Sequence, residues 1–356
     1  MDKIKMLKQL KYYFLPFEIF LMIMASLHSV DAVWIVFLSL SAFVILGDFF
    51  LPNDKSILNV KNPLFLNLAL YIHFPMLLIL VFTSMNLAKT SAVTFMDYFG
   101  ISISLGLIIG GAAVNVGHEL THQTKNPIKL FFGNWLYAIA CEPFFVIEHV
   151  YGHHKNVGLK KDPATAQRGD NIYFFILSST FRQIISSWKI ESKRMAKKGY
   201  FILSLQNRIL QSIFRSIGII GFAFFAGGFT GLICFLFSAV WAKILLETIN
   251  YVEHYGLVRE QGKPVQPRHS WNTNAFVSSL ILFNLTRHSH HHEKASVEYW
   301  DLKPYPNAPE MPYGYLTMAY MTLLFPILFK RIMKPKLKHW DKTFASEGEK
   351  QIILGL

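Results

Sequence analysis

Long apolar runs separated by short polar segments make up most of the chain. An α-helix needs about 20 mainly apolar residues to cross the hydrocarbon core of a bilayer. Runs of roughly that length occur at about 13–28, 31–51, 64–85, 98–117, 209–228 and 231–250. The pattern predicts an all-α membrane protein of one domain, residues 1–356, with six transmembrane helices. The polar stretches at about 118–208 and 251–335 are expected to form a cap on one side of the membrane.

Composition and charge agree with this prediction. Hydrophobic residues make up 52% of the 356 residues and aromatic residues 15%, more than a soluble domain usually contains. Cytoplasmic segments of membrane proteins carry an excess of Lys and Arg. Such residues precede the first run, follow the second and fill the stretch from Lys125 to Arg208; the first two groups are Lys3, Lys5, Lys8, Lys11, Lys55 and Lys61. We therefore expect a multi-pass protein of the cytoplasmic (inner) membrane, with both termini and the active site on the cytoplasmic side.

The same bias accounts for the net charge of +13, so nucleic-acid binding is not expected. Cys141 and Cys234 are the only cysteines, too few for a disulfide framework or an iron–sulfur relay. The chain also has no Gly-x-Gly-x-x-Gly turn between a strand and a helix, so no nicotinamide or flavin domain is expected. Any reducing equivalents would come from outside the chain.

Ten of the 14 histidines lie in four short segments, and all of them except His290 are candidate metal ligands: His118, His122, His149, His153, His154, His254, His288, His291 and His292. A single zinc site takes three or four protein ligands, so nine imidazoles indicate two metal ions. Imidazole suits iron, copper, nickel and zinc alike, and the ligand type leaves the identity of the metal open.

The spacing within each segment predicts which histidines share a face. His118-Glu119-x-x-His122 places two imidazoles one helical turn apart. Read alone it is also the motif of a zinc metalloprotease, but such an enzyme needs only one further ligand. His149 and His153 repeat this spacing, and the adjacent His154 is expected to point round the helix toward a second ion.

In the last segment, His288, His291 and His292 share one face of a helix, whereas His290 is expected to point away. His254 follows Glu253 directly and stands alone. A single histidine at the end of a helix is more often an interfacial side chain than a ligand, so its assignment depends on the other three segments.

The motifs together resemble those of the integral-membrane alkane 1-monooxygenases. They are His-Glu-Leu-x-His, Glu-His-x-x-Gly-His-His followed by Asp-Pro-Ala, Asn-Tyr-x-Glu-His-Tyr-Gly-Leu, and Arg-His-Ser-x-His-His. The box that begins at Asn250 is the specific element, because the related membrane fatty acyl desaturases have similar histidine boxes but lack it in this order. The resemblance extends from the fourth run to near Pro335.

The resemblance implies a six-helix bundle whose cytoplasmic cap holds a diiron centre on the nine histidines. It also implies hydroxylation of the terminal methyl group of linear alkanes to 1-alcohols with dioxygen. Electrons would come from soluble rubredoxin with an NAD(P)H-dependent reductase. A ferredoxin would fit the absence of a cysteine-based relay in the chain equally well. Three positions depart from the family pattern: the stretch 157–161, Thr286 in place of a common Gln, and His290 in place of the usual Asp.

Several further residues are candidates to support the site. Carboxylates that accept the other ring N–H of a ligand histidine fix its tautomer; the candidates are Glu119, Glu148, Glu253, Asp162 and Asp301. For Asp162 and Asp301 loop capping is an equal alternative. Asn115 also matches the family. The small residues Gly111, Ala112 and Val114 would leave room for a linear substrate that enters from the bilayer, or would simply allow close helix packing.

Two other functions remain in view. A membrane fatty acyl or lipid hydroxylase or desaturase would use the same diiron chemistry on another substrate. A metal-binding or transport protein should have ionisable residues along its helices, and His73 alone lies mid-span. Transport is therefore disfavoured.

Overall fold

The computed structural model of the protein describes residues 9–58, 60 and 62–355. These residues are helical or irregular, and within them β-structure is limited to one isolated bridge between Asn272 and Glu310. The helices are α1 (Phe14–His28), α2 (Val30–Phe50), α3 (Leu64–Tyr71), α4 (His73–Thr90), α5 (Phe95–Ile108), α6 (Asn115–His122), α7 (Pro127–Ile139), α8 (Phe145–Glu148), α9 (His154–Asn156), α10 (Ile172–Lys197), α11 (Arg208–His254), α12 (Phe276–Ile281), α13 (His288–Glu293), α14 (Tyr315–Leu324), α15 (Pro326–Thr343) and α16 (Glu347–Leu354). Two π-helical segments, Ile109–Val114 and His149–His153, join α5 to α6 and α8 to α9. The all-α prediction is confirmed.

Four helical stretches are long and apolar enough to cross a membrane: Val30–Phe50, Leu64–Thr90, Phe95–His122 and Arg208–His254. The fourth contains both of the last two predicted spans, because α11 continues for 47 residues and leaves helical geometry at Gly228. There φ is 61° and ψ −154°, a conformation open essentially to glycine alone. The first predicted span corresponds to α1, which has only 15 residues.

The apolar helices establish the membrane-protein class. Six spans, and a cytoplasmic location of the termini, stay predictions. Of the lysines used to predict orientation, Lys3, Lys5, Lys8 and Lys61 lie outside the described residues.

The chain divides into two compact units. Unit one comprises Met1–Phe43, Leu58–Val146 and Glu191–Leu245, and unit two comprises Val44–Ile57, Ile147–Ile190 and Leu246–Leu356. Unit one contains most of the apolar helical length and the first histidine segment. Unit two contains the other three segments.

In unit one, close packing of α6 against α7 fixes the first histidine segment. A Cβ atom on Gly133 would lie 2.7 Å from the side chain of Thr121, and one on Gly117 would lie 3.2 Å from the ring of Tyr137. Helix α7 begins at a well-formed cap, in which the Asn126 side chain accepts from the backbone N–H groups of two residues in the first turn. Small residues at this crossing therefore let the two helices approach closely.

In unit two, buried charged side chains hold the irregular segments around the histidines. The guanidinium of Arg287, 1% exposed, donates to the backbone carbonyl oxygens of Leu302 (2.6 Å), Asp54 (3.0 Å) and Ser56 (2.8 Å). These bonds tie the buried guanidinium to three backbone carbonyl groups of irregular segments. Arg287 directly precedes His288, so this network fixes the start of α13.

Candidate metal centre

The first histidine pair lies in unit one, on α6. His118 and His122 are both buried, at 5% and 6% exposure, and their Nε2 atoms are 3.2 Å apart. Ligands one turn apart on a helix can bind the same ion. The local geometry therefore agrees with the spacing of the motif.

Unit two gathers four histidines from three elements into one group. They are His153 in the second π-helical segment, His254 at the end of α11, and His288 and His292 on α13. One nitrogen of each lies within 4.8 Å of one nitrogen of every other. The Nε2 atom of His288 is 3.3 Å from that of His254 and 2.9 Å from that of His292.

A second group in unit two consists of His149, His154 and His291. The Nε2 atom of His154 lies 3.0 Å from that of His149 and 3.2 Å from that of His291. The two groups are neighbours, since the ring centroids of His154 and His292 are 4.4 Å apart. Unit two therefore brings seven of the nine predicted ligands together in two adjacent groups.

The pairing around residue 150 differs from the one that the sequence predicts. The spacing of four residues predicted that His149 and His153 share an ion, but His149 groups with His154, and His153 belongs to the other group. The backbone explains the difference, because His149–His153 is π-helical. In a π-helix the hydrogen bonds run from i to i+5, so residues five apart stack on one face.

The distances within each group fit metal ligands. A metal ion binds an imidazole nitrogen at about 2.0–2.1 Å, so two nitrogens on one ion lie about 3.0–3.4 Å apart. The observed Nε2 separations fall at or near this range. Burial, together with neighbouring imidazoles, also holds the pKa of His292 well below its usual value, which keeps its ring neutral and able to bind a metal.

His153 gives the clearest single indication of a metal site. Its Nδ1 lies 2.9 Å from Oδ2 of Asp162, while its buried Nε2 has no hydrogen-bond partner among the described residues. Oδ2 of Asp162 also accepts from the Thr165 hydroxyl at 2.6 Å, and Oδ1 accepts from the Ala164 N–H. The carboxylate thus both orients a histidine and caps a loop.

Charge reinforces this orientation. Burial alone would lower the pKa of His153, but the Asp162 carboxylate outweighs burial and raises that pKa. Burial alone would raise the pKa of Asp162, but His153 outweighs burial and lowers that pKa. Glu148 is also buried, and burial with the nearby Asp162 raises its pKa to about 8.

The other predicted supporting residues are distributed over both units. Oε2 of Glu253 lies 3.2 Å from Nε2 of His288, and the Glu148 carboxylate accepts from the Ser186 hydroxyl at 3.3 Å. Asn115 and Glu119 are buried on α6 in unit one. Asp301 is exposed and interacts with Trp300 and Lys303.

The structure also shows the surroundings of His290 and of the three small residues before α6. Nδ1 of His290 accepts from the Lys303 N–H at 2.9 Å, and its ring packs against Tyr305, so it lies in neither histidine group. Ala112 and Val114 are buried in the first π-helical segment, whereas a Cβ atom on Gly111 would meet nothing within 4 Å.

Sequence reasoning missed two residues that act on the ligands. Thr165 anchors Asp162, and the backbone carbonyl oxygen of His269 lies 3.2 Å from Nδ1 of His254. His269 stands outside the four segments, and its contribution is a backbone atom, so no side-chain pattern reports it.

The sequence model of the fatty acid desaturase family matches residues 94–322, more than half of the chain and all four histidine segments. The chain belongs to the fatty acid desaturase family. Within it, the chain is 36% identical to alkane 1-monooxygenase 1 of Pseudomonas aeruginosa, over 67% of this chain and 63% of that protein. It is 31% identical to an alkane 1-monooxygenase of Pseudomonas putida, over 87% of this chain and 77% of that protein.

A third relative matches over almost the whole length. The hydroxylase component of the xylene/toluene monooxygenase of Pseudomonas putida is 28% identical over 97% of this chain and 93% of its own length. The resemblance to integral-membrane alkane 1-monooxygenases is confirmed. The prediction of an oxidoreductase of the monooxygenase class is also confirmed, because the relatives are monooxygenases.

Proposed function

We propose that the protein is a non-haem diiron monooxygenase that hydroxylates the terminal methyl group of linear alkanes to 1-alcohols. The observation that carries the proposal is the pair of adjacent histidine groups in unit two, in a chain whose relatives include alkane 1-monooxygenases. A protein that only binds a metal ion needs three or four ligands for it, whereas unit two alone offers seven histidines.

All nine histidines are proposed as iron ligands. His153, His254, His288 and His292 form one set, and His149, His154 and His291 form part of the other. His118 and His122 in unit one are proposed as the remaining two ligands, because they are buried and offer two imidazoles one turn apart. Two irons, when bound, would supply the activation of dioxygen that a terminal C–H bond requires.

Neighbouring residues of the protein set the tautomer and the orientation of two of these ligands. Nδ1–H of His153 donates a hydrogen bond to Asp162, and Nδ1–H of His254 donates to the His269 carbonyl oxygen, so Nε2 of each neutral ring carries the lone pair. Six of the seven histidines in the two groups are buried and His154 is half-buried, which would limit the access of bulk water to the reacting centre. These contacts support the assignment of Nε2 as the metal-binding atom.

Substrate and electrons would reach the site from different phases. A hydrocarbon dissolves in the bilayer and would enter laterally between the six proposed helices. With two cysteines and no nucleotide fold, the chain would receive electrons from a soluble rubredoxin or ferredoxin and its NAD(P)H-dependent reductase. This donor would dock on the cytoplasmic face of the inner membrane, where we place the active site and both termini.

A second candidate function is hydroxylation of a methyl group on an aromatic ring. The observation in its favour is the match of the xylene/toluene monooxygenase component over 97% of this chain. The two candidates use the same iron chemistry and differ in the shape of the molecule that presents its methyl group. Measured products distinguish them.

The test uses membranes that contain the protein, supplied with iron, a rubredoxin with its reductase, NADH and dioxygen. Linear alkanes, toluene, xylene and fatty acyl substrates are offered separately, and products are identified by mass spectrometry beside a His118→Ala control. We expect 1-alcohols from alkanes that are absent from the control. Benzylic alcohols alone would favour the second candidate, and hydroxylated or desaturated acyl chains alone would replace both with an acyl-lipid enzyme.

A further inference from the structure

Unit two contains a histidine, His269, that contacts the proposed metal centre only through its backbone. It lies in the 3₁₀ turn Pro267–His269 and is fully buried. Its carbonyl oxygen is 3.2 Å from Nδ1 of His254. A carbonyl oxygen only accepts hydrogen bonds, so Nδ1 of His254 carries the proton. The direction of this carbonyl therefore decides how the imidazole of His254 is turned.

The ring of His269 is itself held at both nitrogens. Its Nδ1 accepts from the backbone N–H of Gln266 at 3.0 Å, so the proton of the neutral ring is on Nε2. Nε2 lies 2.7 Å from Oε1 of Glu349. Burial lowers the pKa of His269 despite this carboxylate, in agreement with a neutral ring. Turning the His269 carbonyl would disturb both of these bonds.

Glu349 comes from the C-terminal helix α16 and is itself fixed. Its side chain is 1% exposed, and its Oε2 accepts from the backbone N–H of Ser346 at 2.8 Å in a capping box. Nε of Arg268 donates to the same oxygen at 2.9 Å. Burial would raise the pKa of Glu349, but the bonds from His269 and Arg268 outweigh it and lower that pKa to about 2. The carboxylate is therefore a permanent acceptor.

We propose that Glu349 is a positioning residue for the metal ligand His254: it locks the His269 ring, and the His269 carbonyl in turn fixes the imidazole of His254. The inference rests on the proposed role of His254 as an iron ligand and adds a contribution from α16. That helix lies beyond residues 94–322, the part of the chain that the family model matches. Groups that orient a metal-bound histidine typically change metal affinity or activity 10–100-fold when they are removed.

The experiment measures how tightly the full-length protein holds iron. Wild type, Glu349→Ala and Glu349→Gln are purified in detergent and loaded with ⁵⁷Fe(II), and the rate of iron loss to an excess of a ferrous chelator is recorded. We expect the iron that is bound by His254 to leave Glu349→Ala about 10-fold or more faster than it leaves wild type. Mössbauer spectra should show an altered quadrupole splitting for that iron and an unchanged one for the other iron. Glu349→Gln keeps an oxygen that accepts from His269 and should remain closer to wild type.

Three further variants separate positioning from a simple structural role. Glu347→Gln changes an 87% exposed acid on the same helix and should behave as wild type. Arg268→Gln removes the other ionic partner of Glu349 but leaves the bond to His269, so iron should be retained. His269→Leu removes the ring while its backbone carbonyl remains, and iron loss should again be accelerated even if Glu349→Ala fails to fold.

Two results would overturn the positioning role alone. One is iron loss from Glu349→Ala and His269→Leu at the wild-type rate. The other is an equal acceleration in Arg268→Gln, which would mean that Glu349 only docks α16. A wild-type protein that holds no iron would overturn the proposed function as well, so the two failures are distinguishable.

Discussion

His153 and Asp162 form a buried pair in which Nδ1 of the imidazole lies 2.9 Å from Oδ2 of the carboxylate. The pair leaves Nε2 of His153 without a hydrogen-bond partner among the described residues. This is the arrangement by which a carboxylate fixes the tautomer and orientation of a metal-bound histidine.

Replacement of Asp162 by alanine is expected to weaken iron binding about 10- to 100-fold. The reason is that His153 loses the acceptor for its Nδ1 proton and can turn its ring or change tautomer. The measurement is iron per chain at equilibrium with a graded chelator. Asp301→Ala is the matched control, because Asp301 is an exposed carboxylate in the same unit, and it should bind iron as wild type does. Equal behaviour of the two variants would contradict the assignment.

His290→Ala is expected to keep the full complement of iron. Nδ1 of His290 accepts a single hydrogen bond from the Lys303 N–H, and its loss should cost only about 1 kcal/mol of folding free energy. His288→Ala, two positions away on the same helix, should lose iron. Metal analysis of both purified variants provides the comparison, and iron loss from His290→Ala would make that residue a ligand.

The sequence predicted what depends on local periodicity. Five of the six predicted spans lie within long apolar helical stretches, because a run of about 20 apolar residues is a signal that the sequence shows directly. The grouping of His288 with His292 follows from a spacing of four on an α-helix. The sequence did not predict that the spans on either side of Gly228 belong to one helix, which leaves helical geometry only at that glycine.

What the sequence did not predict depends on backbone geometry and distant contacts. The two π-helical segments have no sequence signature that periodicity detects, and one of them moves His149 from the expected group to the other. The role of His269 resides in its carbonyl group, and Glu349 reaches it from 80 residues away in the chain. Both follow from the fold of unit two.

Gly256 is expected to tolerate no side chain. Its φ is +72°, and a Cβ atom would lie 2.8 Å from Leu337 and 2.9 Å from Arg168. Alanine should cost about 1–2 kcal/mol for the left-handed backbone, and overpacking about 1–3 kcal/mol more. Gly262 has φ +86° with nothing within 4 Å of a Cβ atom, so Gly262→Ala should cost only the backbone part. Chemical denaturation of both variants in detergent tests this, and equal losses would contradict it.

Glu191 is expected to make the stability of unit one sensitive to acid. Burial opposes its ionisation, but Arg194 and Arg208 donate to it at 2.6 Å each and lower its pKa from 4.5 to about 2. A depressed folded-state pKa contributes stability that is complete above about pH 4.5 and is lost as the pH falls toward about 2. The melting temperature of wild type should therefore decrease over this range more than that of Glu191→Gln.

The control for this prediction is Glu347→Gln, which changes a carboxylate that is 87% exposed. Its melting temperature should follow the pH in the same way as that of wild type, because an exposed ion pair contributes little. If Glu191→Gln retained the full wild-type dependence on acid, the buried contacts with the two arginines would not be its source.

Gly111 is the position at which the proposed substrate channel can be tested most directly. It lies in the π-helical segment before α6 and is half-buried, and a Cβ atom there would meet nothing within 4 Å. If this space receives the substrate chain, Gly111→Phe should leave iron binding intact and shorten the longest alkane that is hydroxylated. Gly221→Phe is the matched control, because Gly221 is exposed on α11 with equally open surroundings and should change neither property. Product profiles over a series of alkanes measure the effect, and an unchanged chain-length limit in Gly111→Phe would mean that the small residues here serve only helix packing.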